Sequence, residues 1–288
     1  MIDVNLNNCE FITKLPKLWA PNLKNLDLSC CENLVKLPKL RVPNLEYLDL
    51  SCCEKLVEID ECFGSLGKLK GWYLVDCKKL QILPSQLRLK SLQSFYLSGC
   101  SRLEKLPNFH PEMECLKTLY LGGSGIREVP SSIKHLTKLD ELSLDNCKNL
   151  WELPDSIYKL QQLRKLRTPT AKLRPTCNSF DSSSGYGFLN MTKLDIHGYE
   201  AIIELDLLMK PDYFPALESI DLSDTNIVTI PESISRFPRL KSLYISNCKL
   251  LREIQGLPQS IRWVVAENCM LLDTQSPSGL LNQVSLFL

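Results

Sequence analysis

Six residues stand at one recurring place in this chain, each between the last two apolar residues of an L-x-x-L-x-L-like phrase: Asp27, Asp49, Tyr73, Tyr96, Tyr120 and Ser143. If the phrases are neighbouring strands of a parallel sheet, these residues lie about 4.8 Å apart in one row. Three tyrosines then form an amphipathic strip, with Tyr47 one column over. Tyrosine offers a large contact area at small entropic cost, which suits recognition of another protein. Asp27 and Asp49 flank the strip on one side, and Asp140, Glu141 and Asp145 on the other. Such a rim favours a basic partner by charge complementarity. The competing reading is structural: a tyrosine ladder that only stabilises its sheet, beside a solvated charged rim. As an acid–base pair these carboxylates have no enclosing sequence context to shift their pKa.

Other candidate chemistry is weaker. Lys159, Arg164, Lys165, Arg167, Lys172 and Arg174 form a basic run with no acid between Asp155 and Asp181. It could dock on an acidic domain or bind phosphate, although a solvated loop explains it as well. Aromatic residues are not interleaved with it, so it does not read as a nucleic-acid surface. His110, His135 and His197 are too scattered for metal ligation or catalysis. Gly64-Ser-Leu-Gly67-Lys68-Leu69 is two residues too short between its glycines for a phosphate-cradling loop and ends in leucine. Asn190-Met-Thr192 is an isolated glycosylation sequon. No metal, cofactor or catalytic residue is expected.

The elements that must position the strip recur throughout. Leu23-Lys-Asn-Leu26-Asp-Leu28-Ser-Cys-Cys31-Glu-Asn-Leu34-Val-Lys-Leu37-Pro38 states the pattern in full. Its successors begin at Leu45, Leu69, Leu92, Leu116 and Leu139, at steps of 22, 24, 23, 24 and 23 residues. That period falls in the leucine-rich-repeat window of roughly 20–29 residues. Each L-x-x-L-x-L predicts a short strand with leucines inward and intervening residues in solvent. Prolines 16, 38, 84, 107, 130, 154 and 231 sit on the return segments, where a missing N–H costs no ladder bond. Returns 15–21 and 37–43 read as extended or 3₁₀-like, whereas 129–136 and 153–160 read as proline-led short helices. Residues 167–190 break the pattern with a polar, flexible composition and read as a projecting loop.

Of thirteen cysteines, Cys9, Cys31, Cys53, Cys77, Cys100, Cys147, Cys248 and Cys269 share one repeat position. That position points inward, so they read as reduced core thiols rather than a disulfide framework. Ser124 and Thr225 replace cysteine there, with the next apolar residue two on instead of three. The site therefore wants a small hydrogen-bonding group facing backbone. The expected fold is an α/β leucine-rich-repeat solenoid (horseshoe) of roughly a dozen rungs. Parallel strands line its concave face and short helical, 3₁₀ or extended returns its convex face. It would span residues 1–272, followed by a tail at 273–288 that carries no rung. The first rung lacks a polar cap, which suggests a piece of a longer protein.

Formal net charge is +1, which exerts no general pull toward nucleic acid or anionic lipid. No apolar run approaches the roughly 18 residues of a membrane span, and the first nine residues lack the pattern of a secretory signal.

Leu26-Asp-Leu28-Ser-Cys-Cys31-Glu-Asn-Leu34, Tyr96-Leu97-Ser-Gly-Cys100-Ser-Arg-Leu103-Glu-Lys-Leu106-Pro107 and Gly123-Ser-Gly-Ile126-Arg-Glu-Val129-Pro-Ser-Ser-Ile133 resemble the leucine-rich-repeat region of plant TIR-type nucleotide-binding immune receptors. Leu257-Pro-Gln-Ser-Ile261 and Ala266-Glu-Asn-Cys269 resemble the closing rung of that region. The resemblance covers nearly the whole chain except 167–190. It implies recognition of a pathogen effector and autoinhibition within a larger receptor, in the cytoplasm with the nucleus also open to it. The expected partners are a pathogen effector or guarded host protein and the receptor's own nucleotide-binding domain, with no nucleic acid and no membrane. Asp27, Asp49, Tyr47, Tyr73, Tyr96, Tyr120, Glu141 and Asp145 are the expected contact residues. A generic cytosolic repeat scaffold for a signalling protein is the alternative.

Overall fold

A computed structural model describes residues 2–17, 19–168, 187–198, 211–272 and 285–287. The chain forms two compact units, Met1–Leu160 and Gln161–Leu288.

In the first unit, three-residue strands at Asp3–Asn5, Asn25–Asp27, Tyr47–Asp49, Gly71–Tyr73, Ser94–Tyr96, Thr118–Tyr120 and Glu141–Ser143 form one parallel ladder, each pairing in register with the next. Their middle residues point inward because side chains alternate across a strand. Leu26, Leu48, Trp72, Phe95, Leu119 and Leu142 are buried there. Trp72 and Phe95 occupy leucine slots and stack at 5.1 Å with planes 19° apart. Each such side chain contributes about 1.5–3 kcal/mol by leaving water. A single rung cannot bury its leucines alone, so neighbours stabilise each other.

The turn after each strand is built by two devices. A residue with left-handed backbone recurs just before the shared cysteine position: Cys30 (φ 57°), Cys52 (60°), Asp76 (56°), Gly99 (76°), Gly123 (69°) and Asn146 (56°). The next residue points into the core. The thiols of Cys31, Cys53, Cys77, Cys100 and Cys147 donate to the carbonyls of Leu6, Leu28, Leu50, Leu74 and Leu121 at 3.1–3.2 Å. A thiol is therefore a rung-to-rung hydrogen-bond donor here. Burial pushes the Cys53 thiol well above its ordinary pKa.

The returns differ along the unit as the sequence indicates. Isolated parallel bridges join Lys14 to Lys36, Lys36 to Glu58, and Trp19 to Arg41, so the early returns are extended. Ser131–His135 and Asp155–Lys159 are five-residue 3₁₀ helices. Pro130 and Pro154 occupy their N-caps in extended backbone, so proline sets the approach to the helix rather than its first turn. A third 3₁₀ helix, Glu61–Ser65, has no proline; the Asp60 carboxylate caps it by accepting the Cys62 N–H at 3.0 Å. Gly64 in that helix lies against the next return, where a Cβ would stand 2.6 Å from the Gln86 carbonyl. The missing Cβ permits that close packing.

The second unit repeats the plan. Lys165–Arg167, Lys193–Asp195, Ser219–Asp221, Ser242–Tyr244 and Trp263–Val265 form its parallel ladder. Leu194, Ile220, Leu243 and Val264 are buried inside. The Thr225 hydroxyl donates to the Leu222 carbonyl at 2.6 Å and the Cys248 thiol donates to the same oxygen at 3.2 Å. The Thr225 bond stays within its own rung, whereas the Cys248 bond crosses to the preceding one, so hydroxyl and thiol reach one carbonyl from different rungs. Ser285–Phe287 pairs in parallel with Trp263–Val265. The stretch after Asp273, read from sequence as carrying no rung, therefore adds a strand. Most of the 167–190 loop, with Lys172 and Arg174, lies outside the described residues.

Candidate protein-recognition surface

The strand register places Asn5, Asp27, Asp49, Tyr73, Tyr96, Tyr120 and Ser143 in one row on the outward side of the first unit's sheet. Asp3, Asn25, Tyr47, Gly71, Ser94, Thr118 and Glu141 form the row beside it. Asp145 lies two residues beyond Ser143, past the strand end. All eight sequence-designated residues thus lie on one face, and the structure brings five of them into direct contact or close approach.

Tyr96 is the centre. Its ring lies 5.2 Å from that of Tyr73 at 33° and 4.8 Å from that of Tyr120 at 10°. The Tyr120 hydroxyl donates to Glu141 Oε2 at 2.5 Å, tying the end of the ladder to the next strand. At the other end the strip turns sideways. A Cβ on Gly71 would stand 2.8 Å from Tyr47 Cδ1, 2.8 Å from Tyr73 Oη and 3.0 Å from Tyr73 Cε2. The two rings lean together over the glycine, which the sequence reading passed over; a glycine inside a strand was the available signal. Tyr47 remains 43% exposed, enough area for a contact. Burial among these neighbours raises the Tyr73 phenol above its ordinary pKa, with the Tyr96 phenol adding to the shift.

Asp27 and Asp49 do structural work as well. Each carboxylate accepts the backbone N–H two residues on, Ser29 at 2.9 Å and Ser51 at 2.8 Å. Asp221 does the same for Ser223 at 2.9 Å. These acids close the strand-end turn while presenting charge to solvent. Asp145 accepts from the Ser143 hydroxyl.

Elsewhere several titratable groups are engaged in ion pairs, most of them between rungs and one within a rung. Glu46 is held by Lys70 at 2.6 Å and Lys24 at 3.4 Å, and the hydrogen bond from Lys70 leads in lowering its pKa. An open recess of about 510 Å³ beside these residues is lined by Ile2, Asn22, Lys24, Asn44, Glu46 and Lys68. It contains an ion pair rather than an unpaired acid and base. His197 contacts Asp195 (Nδ1 to Oδ1, 2.6 Å), and Arg167 Nε lies 3.3 Å from the same carboxylate. Among the described residues no cluster of three or more His, Cys, Asp or Glu could hold a metal ion, and no helix is long and apolar enough to cross a membrane. On the second unit's outward face, Tyr244 (37% exposed) and Trp263 (47%) are aromatic positions that the sequence reading did not single out.

Parallel rungs, one strand per repeat, with inward leucines and a hydrogen-bonding turn position, define a leucine-rich-repeat protein. Comparison agrees: the family of leucine-rich repeats of RPS4B-like disease resistance proteins matches residues 88–283, and a general leucine-rich-repeat family matches residues 44–66. The chain belongs to the RPS4B-like disease resistance leucine-rich-repeat family. Curated relatives include the probable disease resistance protein At4g19520 of Arabidopsis thaliana, 30% identical over an alignment of 178 residues that covers 54% of this chain and 10% of that protein. The disease resistance-like protein DSC1 of Arabidopsis thaliana is 36% identical over 59 residues, 20% of this chain and 5% of that protein. The chain thus spans a tenth or less of these relatives. Among solved structures, the Leptospira interrogans LRR protein LIC12759 matches with a TM-score of 0.52 and 17% identity over 99% of this chain and 95% of that one. A TLR13–ssRNA13 complex matches with a TM-score of 0.52 and 19% identity over 96% of this chain and 42% of that one. At these identities the likeness is one of fold.

Proposed function

We propose that this chain is the protein-recognition and autoinhibitory leucine-rich-repeat region of an intracellular plant immune receptor of the TIR-type nucleotide-binding class. It performs no chemistry itself. It senses a pathogen effector, or a host protein the effector alters, through the outward tyrosine strip. The observation that carries this reading is the Tyr73–Tyr96–Tyr120 stack with Tyr47 beside it, a preordered aromatic patch on an open sheet face. Rings already packed against each other lose little freedom on contact, so their area converts efficiently into affinity. Family membership and the plant disease resistance relatives support the setting.

Autoinhibition follows if the receptor's nucleotide-binding domain rests against the first rungs and the effector competes with it. A ligand shifts such an equilibrium only by its difference in affinity between the two states. The strip must therefore be more accessible, or better shaped, in the released state. The test is binding of candidate effectors and of the nucleotide-binding domain to the wild-type chain and to Tyr96→Ala and Tyr120→Ala. Both variants should keep the circular dichroism spectrum of the parent and lose effector binding and effector-triggered signalling. Unchanged binding and signalling in both would refute the strip as the sensing surface.

A further inference from the structure

The outward face of the first unit is one-sided in charge. Its seven rungs each present two strand residues and the residue two beyond, running from Asp3, Asn5 and Asn7 to Glu141, Ser143 and Asp145, 21 positions in all. Five of these are acidic (Asp3, Asp27, Asp49, Glu141, Asp145) and none is Lys, Arg or His. The whole chain is nearly balanced, with 34 basic and 33 acidic residues, so the segregation is local. The second unit's outward face differs: it carries Lys165, Arg167 and Lys193 beside Asp195, Asp221 and Glu267.

The partners of these carboxylates make the same point. Away from the sheet face, acids of the first unit pair with a base of an adjacent rung: Glu54 with Lys78, Glu58 with Lys36, Glu104 with Arg127, Glu112 with Arg88. On the face, the hydrogen bonds to Asp3, Asp27, Asp49 and Asp145 come from neutral donors: the Asn25 amide, the Ser29 N–H and hydroxyl, the Ser51 N–H and the Ser143 hydroxyl. Lys24 and Lys70, at the strand entrances, are both engaged by Glu46. Like charges in one field repel, and an external cation relieves that repulsion.

We infer that the segment recognised by this face is a basic, arginine-bearing stretch of polypeptide. The inference rests on the strip being the recognition surface and adds the chemistry of what it recognises. Arginine fits better than lysine. Its planar guanidinium stacks on an aromatic ring and pairs with a carboxylate through two parallel N–H groups. Asp49 and Tyr73 are direct neighbours in the register and offer both partners at one place. The acids steer the approach and the tyrosines hold the contact, so association should fall steeply with salt.

The test uses the full chain and three fluorescein-labelled peptides, (Gly-Ser-Arg)4, (Gly-Ser-Lys)4 and (Gly-Ser-Glu)4, followed by fluorescence anisotropy. The arginine peptide should bind best, the lysine peptide more weakly, and the glutamate peptide not at all. The double variant Asp27→Asn/Asp49→Asn keeps an oxygen to accept the Ser29 and Ser51 N–H groups, so it should fold as the parent does. It should bind the arginine peptide about fivefold to tenfold less tightly and with a shallower salt dependence. Equal binding by this variant, or equal binding of the glutamate peptide, overturns the inference. The two readings separate. If Tyr96→Ala loses a protein partner that Asp27→Asn/Asp49→Asn retains, the strip stands and its preference for a basic segment falls. If the asparagine variant loses the arginine peptide while Tyr96→Ala binds every probe and protein partner as the parent does, the strip falls and the charge preference stands.

Discussion

Replacing Tyr96 separates what its ring does for the sheet from what it does for a partner. The ring is stacked on both sides, at 5.2 Å from Tyr73 and 4.8 Å from Tyr120. An aromatic pair contributes about 0.5–1.5 kcal/mol beyond the area it buries, with the lower half of that range fitting a half-buried site. Tyr96→Ala removes two such pairs and should lower unfolding stability by about 1–2 kcal/mol. Tyr96→Phe keeps both stacks and should stay within about 0.5 kcal/mol of the parent, as surface changes usually do. Urea unfolding followed by far-ultraviolet circular dichroism measures both. In binding, a central aromatic anchor costs 2 kcal/mol or more when truncated, so Tyr96→Ala should weaken a partner about thirtyfold or more. Tyr96→Phe should retain most of the affinity. If Tyr96→Ala loses the expected stability yet binds fully, the ladder only supports its sheet. If its stability is unchanged, the stacking argument itself is wrong.

Three further outcomes follow from the packing. Gly71→Ala places a methyl 2.8 Å from Tyr47 Cδ1 and Tyr73 Oη, so both rings must swing away; partner binding should drop severalfold while the urea midpoint changes little, since side-chain ends can yield and alanine suits a strand better than glycine. Leu119→Ala empties a fully buried site between Phe95 and Leu142 and should cost about 2–5 kcal/mol in urea unfolding, with the neighbouring rungs losing amide-exchange protection first. The third concerns pH. Burial raises the Cys53 and Cys62 thiols, the latter to about 11. A raised thiol leaves folding unaffected below the unfolded pKa of about 8.5 and costs stability as pH climbs from there toward the folded value, because only the unfolded chain releases the proton. The urea midpoint should therefore be flat from pH 7 to 8 and fall above about 9, and Cys53→Ala should flatten that fall.

Much of this was legible beforehand, for a definite reason. The repeat length varies between rungs, but the variation falls in the turns and returns and leaves the spacing of the L-x-x-L-x-L phrase unchanged even where Trp72 and Phe95 take a leucine slot, so Asp27, Asp49, Tyr73, Tyr96 and Tyr120 could be aligned by counting. The cysteine position was readable because Ser124 and Thr225 replace it, which only a hydrogen-bonding role explains. Several features escaped, three of them in the scaffold. The Glu61–Ser65 helix is announced by Asp60, not by the proline that marks Pro130, Pro154 and Pro231. The Ser285–Phe287 strand keeps Leu286-Phe-Leu288 but has Gln283 where a leading leucine would stand. Asp27 and Asp49 stand in the charged rim, and each also closes a turn, which spacing alone does not reveal.

The amino-acid order alone determined the rung, its inward side and the row in which every outward residue stands, because strand alternation and a fixed leucine spacing are local properties. What the outward residues do to one another was decided only in three dimensions. The Tyr73 ring leans over Gly71 beside Tyr47, the Tyr120 hydroxyl reaches Glu141, and Glu46 draws in two lysines while Asp49 accepts the Ser51 backbone N–H. Those choices depend on rotamers and on neighbours 21 to 24 residues away in sequence, brought within hydrogen-bonding distance by the stacking of one rung on the next.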